Sequence, residues 1–318
     1  MPDYVEYSSL ATVPGPLTAT GATEWAFALE ADDDKLEALC QKVFAEPTGG
    51  KIDIRPLGHH VLLSLGRIKR LVSNLSPFDT MGWSPEAQVD IWIPAARVSR
   101  HGDELHAEEF LMFVPYIWID NTISLPSGRE MYGYPKAFGW ALLPEEGADE
   151  TTFGLDVFGM NYDRDEKPER RALIRIERGN HLPEKAGIEF SRLLDIGRYL
   201  RELVEDEHGQ PVKQEWRLIG QLWEDARAHR LRQVFLKQIR AIEDGRKAAL
   251  QQVTVATYRL LEMKGQALDY EYTCTVERLD SHPLGEELGL ATQTTGMGFR
   301  SESAFMLETG RVLWDAQT

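Results

Sequence analysis

Two neighbouring segments of the sequence decide the fold: Val-Pro-Tyr-Ile-Trp-Ile-Asp-Asn at residues 114–121 and Gly-Arg-Glu-Met-Tyr-Gly-Tyr-Pro-Lys at residues 128–136. The first segment ends a nearly continuous apolar run, which predicts a buried strand. The second segment places Lys136 directly after a proline, with tyrosines before it and Phe138 and Trp140 after it. Together the segments predict a buried strand, a loop and then a lysine in apolar surroundings.

Strand patterns dominate the sequence on both sides of these segments. Because short strands follow one another without a regular alternation of strand and helix, we predict a mainly β (α+β) protein built on an antiparallel sheet or barrel. One early helix is predicted after Asp32, which is a typical N-cap residue. The strand patterns lie at 24–29, 60–68, 89–93, 110–119, 153–157, 172–176, 250–276 and 303–314.

Helical patterns are concentrated in the later half of the chain. Apolar residues recur at helical spacing over 190–200 and 216–226, and helical character continues over 234–242. The segment 163–171 before them is a dense run of charges and predicts a solvated loop. We therefore predict a single domain, residues 1–318, that contains a helical region.

Composition excludes several functional classes. The net charge is -16, with 51 acidic against 35 basic residues, and nucleic-acid binding needs a basic surface. No apolar run is long enough for a membrane span, and the N-terminus lacks the features of a signal peptide, so a cytoplasmic protein is expected. The two cysteines, Cys40 and Cys274, are expected to be buried small hydrophobes. Nucleotide-binding, serine-hydrolase and metal-ligand spacings are missing, so no metal or cofactor is predicted.

The two opening segments resemble the signature of the acetoacetate decarboxylase family. That signature has an apolar strand ending in Asp120-Asn121, a Gly-Arg-Glu triplet at 128–130 and an aromatic-Pro-Lys triplet at 134–136. Weaker similarity extends to the early strand and helix, to the strand after the lysine and to the terminal strand. The resemblance implies an antiparallel β-barrel core and a homo-oligomer. It leaves residues 163–232 without a counterpart, so we predict a charged, helical insertion there.

The resemblance also implies that Lys136 forms a Schiff base with a small keto acid. An amine attacks a ketone only when it is unprotonated, and free lysine, with a pKa of about 10.4, is almost wholly protonated at neutral pH. Burial among apolar groups disfavours the charged form of a lysine, and acetoacetate decarboxylase is itself a standard example of such activation. The protonated imine then accepts the electron pair released by loss of carbon dioxide or of an α-proton.

Several positions depart from the family's pattern. Ala137 stands where decarboxylases have a second lysine, and Thr23 where they have an arginine. Ser64 is the only polar residue in the strand that carries an expected acid. A second acid precedes an Ile-Pro pair by a few residues; the best match is Gln88, although Glu86 is close.

These departures favour one reaction type slightly over another. The groups that would handle a carboxylate-bearing β-keto acid are mostly replaced. Aldolase-dehydratase-like or retro-aldol chemistry is therefore slightly favoured over decarboxylation of acetoacetate or a larger β-keto acid. A non-catalytic small-molecule binding protein on the same fold is the rival from another class.

The candidate residues divide into two groups. Lys136, Gln88 and Glu302 are the candidates for catalysis, the last as a weaker acid or base. Core packing is the alternative role for the two tyrosines among the substrate-binding candidates. For the arginine and the glutamate among them, the alternative is a structural ion pair with each other. The candidates for substrate binding are Arg129, Tyr134, Tyr116 and Glu130.

Overall fold

Most of the described chain is β-strand. The computed structural model describes residues 3–6, 12–101, 104–191, 195 and 228–317. In chain order its strands are β1 (Leu17–Glu30), β2 (Asp53–Pro56), β3 (His60–Ser73), β4 (Ser84–His101), β5 (Glu104–Ile119), β6 (Lys136–Leu142), β7 (Thr152–Gly159), β8 (Glu169–His181), β9 (Glu189–Phe190), β10 (Arg230–Arg240), β11 (Ala248–Ala267), β12 (Tyr270–Val276), β13 (Gln293–Thr295), β14 (Gly298–Leu307) and β15 (Arg311–Asp315).

The described helices are short. They are α1 (Asp33–Cys40), continued by a π-helical turn (Gln41–Ala45), α2 (Ser124–Met131) and α3 (Leu284–Glu287), with 3-10 turns at Phe78–Thr80 and Pro183–Lys185. None of them is long and apolar enough to cross a membrane. The early helix begins as predicted, because Asp32 accepts a hydrogen bond from the backbone nitrogen of Lys35 at 3.1 Å.

Seven strands close into a barrel. β1 pairs antiparallel with β14 and β3, β3 with β4, and β4 with β5. β5 runs parallel to β10, which pairs antiparallel with β11, and β11 returns to β14. The order around the barrel is therefore β5-β10-β11-β14-β1-β3-β4. The predicted antiparallel β-barrel core is confirmed, with one parallel contact inside it.

A second sheet branches from the barrel at β6. This strand runs parallel to β5, with Lys136 opposite Ile117, and antiparallel to β7. β8, β12 and β13 continue the second sheet beyond β7. Lys136 is the first residue of β6 and so lies where the two sheets meet.

Side chains on the two faces of the barrel wall build two different environments. On the outer face, Phe27 packs against Phe153 and Tyr272 of the second sheet, with ring centroids 5.3 and 5.0 Å apart. On the inner face, the rings of Trp92 and Tyr258 approach to 6.3 Å although their strands, β4 and β11, are not neighbours. The contact across the barrel identifies the residues in register with Trp92 as interior residues.

One helical prediction is wrong, and part of the predicted insertion lies in the second sheet. Residues 234–242 are mostly part of β10, in which Val234 and Phe235 are both buried, each in a different core cluster. A strand buried on both faces reads as a continuous apolar run, which periodicity does not separate from a buried helix. Within the predicted insertion 163–232, residues 169–181 form β8, an integral strand of the second sheet. Most of the rest of that insertion lies outside the described residues.

Both cysteines are buried and unpaired with each other. Cys40 lies in α1 and Cys274 in β12, as the patterns predict. Burial raises the pKa of both thiols above the ordinary value. A thiol that stays protonated is a poor nucleophile, which fits the predicted packing role.

Candidate active site

Lys136 is a buried cation with specific partners. Only 8% of its surface is exposed. Its Nζ donates a hydrogen bond to Ser124 Oγ at 2.7 Å and lies 3.3 and 3.4 Å from the two carboxylate oxygens of Glu86. The ring centroid of Tyr134 is 5.7 Å from the same nitrogen. Amine, carboxylate and hydroxyl therefore form one buried polar unit.

The Asp-Asn pair after β5 joins the two elements that hold this unit. Asp120 Oδ1 accepts a hydrogen bond from the backbone nitrogen of Ala87 at 2.8 Å, and the Asn121 amide donates to the carbonyl of Pro85 at 2.8 Å. The same Asn121 accepts from the backbone nitrogen of Ser124 at 3.0 Å. The pair thus fixes the residues on either side of Glu86 against the first turn of α2.

The Gly-Arg-Glu triplet makes room for the lysine and holds its backbone. A Cβ on Gly128 would lie 2.9 Å from Lys136 Cδ, so only glycine leaves the side chain its path past α2. Arg129 donates a hydrogen bond to the backbone carbonyl of Lys136 at 3.0 Å. The triplet is therefore a support for the lysine.

A cavity opens beside the Lys136 amine. Its polar lining comprises Glu86, Gln88, serine hydroxyls and tyrosine hydroxyls, and the rest of the lining is mainly aliphatic or aromatic. Among the described residues that line it, Lys136 is the sole cation. Within the same described ranges, no group of three or more histidine, cysteine or acidic side chains is placed to hold a metal ion.

Two further acids lie in the barrel interior, of which Asp90 is buried and Glu24 is partly buried. Asp90 accepts a hydrogen bond from Trp92 Nε1, and Glu24 accepts one from Ser64 Oγ. Burial, followed by the nearby Glu24 carboxylate, raises the pKa of Asp90 to about 8. Burial also raises the pKa of Glu24. At neutral pH Asp90 is therefore mostly protonated, and the interior carries less negative charge than its residue types suggest.

The raised pKa of Asp90 predicts a specific pH dependence of stability. The folded protein keeps this proton up to about pH 8, whereas an unfolded aspartate loses it near pH 4. The free energy of unfolding therefore falls as pH rises between these values, by about 1.4 kcal/mol per pH unit at most. Asp90→Asn retains an acceptor for Trp92 and has no proton to lose.

Urea unfolding of wild type and Asp90→Asn at about pH 5 and about pH 8 tests this expectation. The stability of the variant relative to wild type should increase toward the higher pH. Asp149→Asn, at an exposed position, is the matched control and should not change the trend. Parallel pH profiles for Asp90→Asn and wild type would contradict the protonated state of Asp90.

Two tyrosines line the cavity together with the amine. Tyr134 donates to Gln233 at 2.6 Å, and Tyr258 is the second phenol in the lining. Burial is the main cause that raises the pKa of each. Both phenols therefore stay protonated and are poor bases, and the proton of Tyr134 is already donated to Gln233.

The structure brings together only part of the predicted site. Lys136, Gln88 and Tyr134 line the same cavity. However, the acid that contacts the Lys136 amine is Glu86. Of the two candidate matches to the family's second acid, Glu86 and not Gln88 is therefore the one in contact with the lysine. Glu86 and Gln88 are two residues apart on β4 and face the same side.

Glu302 lies elsewhere, contrary to expectation. It is on the opposite face of β14 from Phe305, lines a second cavity and forms ion pairs with Lys264 and Arg300 at 2.8 and 2.7 Å. Hydrogen bonds from these two cations lower its pKa. Thr23 lines that second cavity too, so Glu24, and not Thr23, is the β1 residue that faces the lysine side.

Three predicted substrate-binding residues also lie off the cavity. Arg129 donates a hydrogen bond to the backbone carbonyl of Lys136. Glu130 accepts a hydrogen bond from the Tyr4 hydroxyl at 3.2 Å instead of pairing with Arg129. Tyr116 donates to Glu287 and stacks on Trp118 at 5.4 Å in the outer core. It points away because β5 alternates, and its neighbour Ile117 faces the cavity.

Comparisons with known proteins agree with this architecture. No protein-family model and no curated protein sequence matches the chain. The crystal structure of acetoacetate decarboxylase from Legionella pneumophila subsp. pneumophila str. Philadelphia 1 has 13% sequence identity and a TM-score of 0.58, covering 100% of this chain and 93% of that one. The enduracididine biosynthesis enzyme MppR complexed with pyruvate has 12% identity and a TM-score of 0.53, covering 97% and 94%.

A third similar structure is an acetoacetate decarboxylase-like enzyme from Sphingomonas wittichii RW1, with 14% identity and a TM-score of 0.52 over 95% of this chain and 94% of that one. At such identities the likeness concerns the fold. It extends along the whole chain, including the barrel and the second sheet that meet at Lys136. The chain therefore has the acetoacetate decarboxylase-like fold.

Proposed function

We propose that the protein is a carbon-carbon lyase that binds the carbonyl group of a small keto acid as a Schiff base on Lys136. One observation carries this proposal: the buried Lys136 amine faces a cavity while Glu86 and Ser124 hold it at 3.3 and 2.7 Å. A structural lysine needs no cavity beside its amine. A lysine that forms an imine needs a cavity, a proton acceptor and a hydrogen-bond partner.

Imine formation follows from these partners. The Lys136 ammonium passes a proton to Glu86, and the free amine attacks the carbonyl carbon. The former carbonyl oxygen then takes one proton from the attacking nitrogen and the proton held by Glu86, and it leaves as water, so that a protonated imine remains beside the Glu86 carboxylate. The resulting ion pair replaces the original one, so the buried charges stay balanced.

The protonated imine supports cleavage next to the former carbonyl. In a retro-aldol step, a base removes the proton of the substrate's β-hydroxyl group, the carbon-carbon bond breaks, and its electron pair enters the imine to give an enamine and an aldehyde. The reverse step joins an enamine to an aldehyde, after which loss of water gives the dehydrated product. Glu86 is the nearest described base to the imine nitrogen.

The charge of the lining favours aldol-type chemistry slightly over decarboxylation. Lys136 is the only cation among the described lining residues, and the imine uses it. Gln88, whose side chain has no hydrogen-bond partner among those residues, is left as the neutral donor for the substrate carboxylate. The similar folds carry both chemistries in their names: a decarboxylase, and MppR complexed with the condensation product of pyruvate and imidazole 4-carboxaldehyde.

Decarboxylation of a β-keto acid through the same imine is the alternative reaction, and a non-catalytic binding protein is the alternative function. The ion pair of Lys136 with Glu86 is the feature that the binding protein shares with the enzyme. Only the reactivity of the amine separates them. The homo-oligomer and the cytoplasmic location stay predictions.

Borohydride trapping tests the proposed imine. The protein is incubated with pyruvate or acetoacetate, reduced, and read by intact mass and peptide mapping. An adduct of substrate size on Lys136 is expected. Lys237 is the internal control, because burial lowers its pKa although it does not line the cavity. Adducts spread over Lys237 and surface lysines, with none at Lys136, would contradict the proposal.

A further inference from the structure

We infer that the keto acid carries a long apolar tail, an alkyl or aryl group much larger than the methyl group of pyruvate or acetoacetate. This inference rests on the proposed function and narrows its substrate class. It is drawn from the division of the cavity into a polar end at Lys136 and an apolar remainder.

Three polar side chains accompany the amine at the lysine end of the cavity. They are Glu86 and Ser124, which contact Lys136 Nζ, and Gln88. Two serine hydroxyls elsewhere in the lining are already used within the protein. Ser73 Oγ donates to the carbonyl of Pro14 at 2.6 Å, and Ser127 Oγ donates to the carbonyl of Ile123 at 2.7 Å. Beyond the lysine end, the hydroxyls of Tyr132 and Tyr258 remain in the lining, the first without a partner among the described residues, and the other side chains are mainly aliphatic or aromatic.

An apolar wall continues from the interior to the surface. Ile68, Leu71 and Phe305 line the inner part of the cavity, and Phe78 and Met81 line its outer part with Trp83. The last two are 58% exposed. A contiguous patch of exposed apolar side chains marks a binding surface, whereas single exposed apolar side chains are normal. A pyruvate-sized acid at Lys136 would leave this wall in water.

A substrate tail that covers the wall removes apolar surface from water on both partners. Each methylene that becomes buried strengthens binding about fourfold. Acetoacetate and 3-oxooctanoate share the reacting group and differ by four methylenes in the tail. If the wall accepts most of the tail, the longer acid should bind on the order of 100-fold more tightly.

Borohydride trapping of wild type with these two acids, titrated separately, tests the inference. The adduct on Lys136 should reach half-saturation at a concentration on the order of 100-fold lower for 3-oxooctanoate. In the double variant Met81→Ser/Trp83→Ser, the ratio between the two acids should narrow about tenfold or more. Ile242→Ser is the matched control, because Ile242 is 95% exposed and lies outside the cavity, and it should keep the wild-type ratio.

The outcomes separate this inference from the proposed function. Adducts on Lys136 with equal half-saturation for both acids would overturn the tail and leave the imine standing. A preference for the longer acid that the double variant retains in full would overturn the role of the exposed wall. No adduct at Lys136 with either acid would overturn the proposed function together with this inference.

Discussion

Lys136→Ala should lose turnover of the keto acid by roughly 10⁴- to 10⁶-fold, the size of loss that follows removal of a covalent nucleophile. The amine supplies the bond that turns the substrate into an electron sink, and no other described side chain in the cavity is an amine. Steady-state kinetics with the acid that traps best, together with the loss of the borohydride adduct, measures the effect.

Lys136→Arg is the informative companion variant. Arginine keeps a positive charge near Glu86 but does not form an imine, so turnover should fall as far as in Lys136→Ala. The two variants should differ in stability. Lys136→Ala leaves the Glu86 side chain, which is 3% exposed, without its cation, at a cost of up to about 3–5 kcal/mol. An arginine variant that retained turnover would show that the charge alone matters and would contradict the Schiff base.

Glu86→Gln should lower the rate of imine formation by roughly 10²- to 10⁴-fold, the usual contribution of a positioned general base. Glutamine has the same shape but neither accepts the proton of the amine nor returns it to the departing oxygen, so the proton transfers of imine formation lose their catalyst. The rate at which the borohydride-sensitive adduct appears, measured at saturating keto acid, reports this step directly.

Gln88→Ala is the matched comparison for Glu86→Gln, since the two residues lie on the same face of β4. If the Gln88 amide only holds the substrate carboxylate, its loss should raise KM with little change in kcat. The opposite result, a large fall in kcat for Gln88→Ala and a small one for Glu86→Gln, would exchange the roles of the two residues.

The fold was largely predictable because strands leave a strong local signal. Alternation identified β4, β7 and β8, and the apolar run identified β5. The failure at 234–242 has the opposite cause: β10 is buried on both faces, so its sequence has no alternation to read. Closure of the barrel depends on pairings between distant segments, such as β1 with β14, which no local pattern contains.

The burial of Lys136 in apolar surroundings was predictable, and its polar partners were much less so. Glu86 and Gln88 face the same side of β4, so alternation does not distinguish them. Choosing between them required the register of β4 against β3, which pairs Glu86 with Ile68 and Gln88 with Gly66. Ser124 carried no signal, because its contact with Lys136 depends on how α2 crosses the end of the barrel. Alternation at 86, 88, 90 and 92 could have pointed to a polar inner face, since three of these four residues are acids or amides.

Strand β6 is shared by both sheets, and this has a consequence for how the protein can evolve. The position of Lys136 is fixed from two sides, through β5 and through β7, so changes in either sheet are constrained wherever they would shift the amine. The exposed segment with Met81 and Trp83 belongs to neither of those pairings. If Lys136 reacts as proposed, selectivity for the keto acid can therefore diverge at the rim among descendants of this chain while the position of the amine is inherited unchanged.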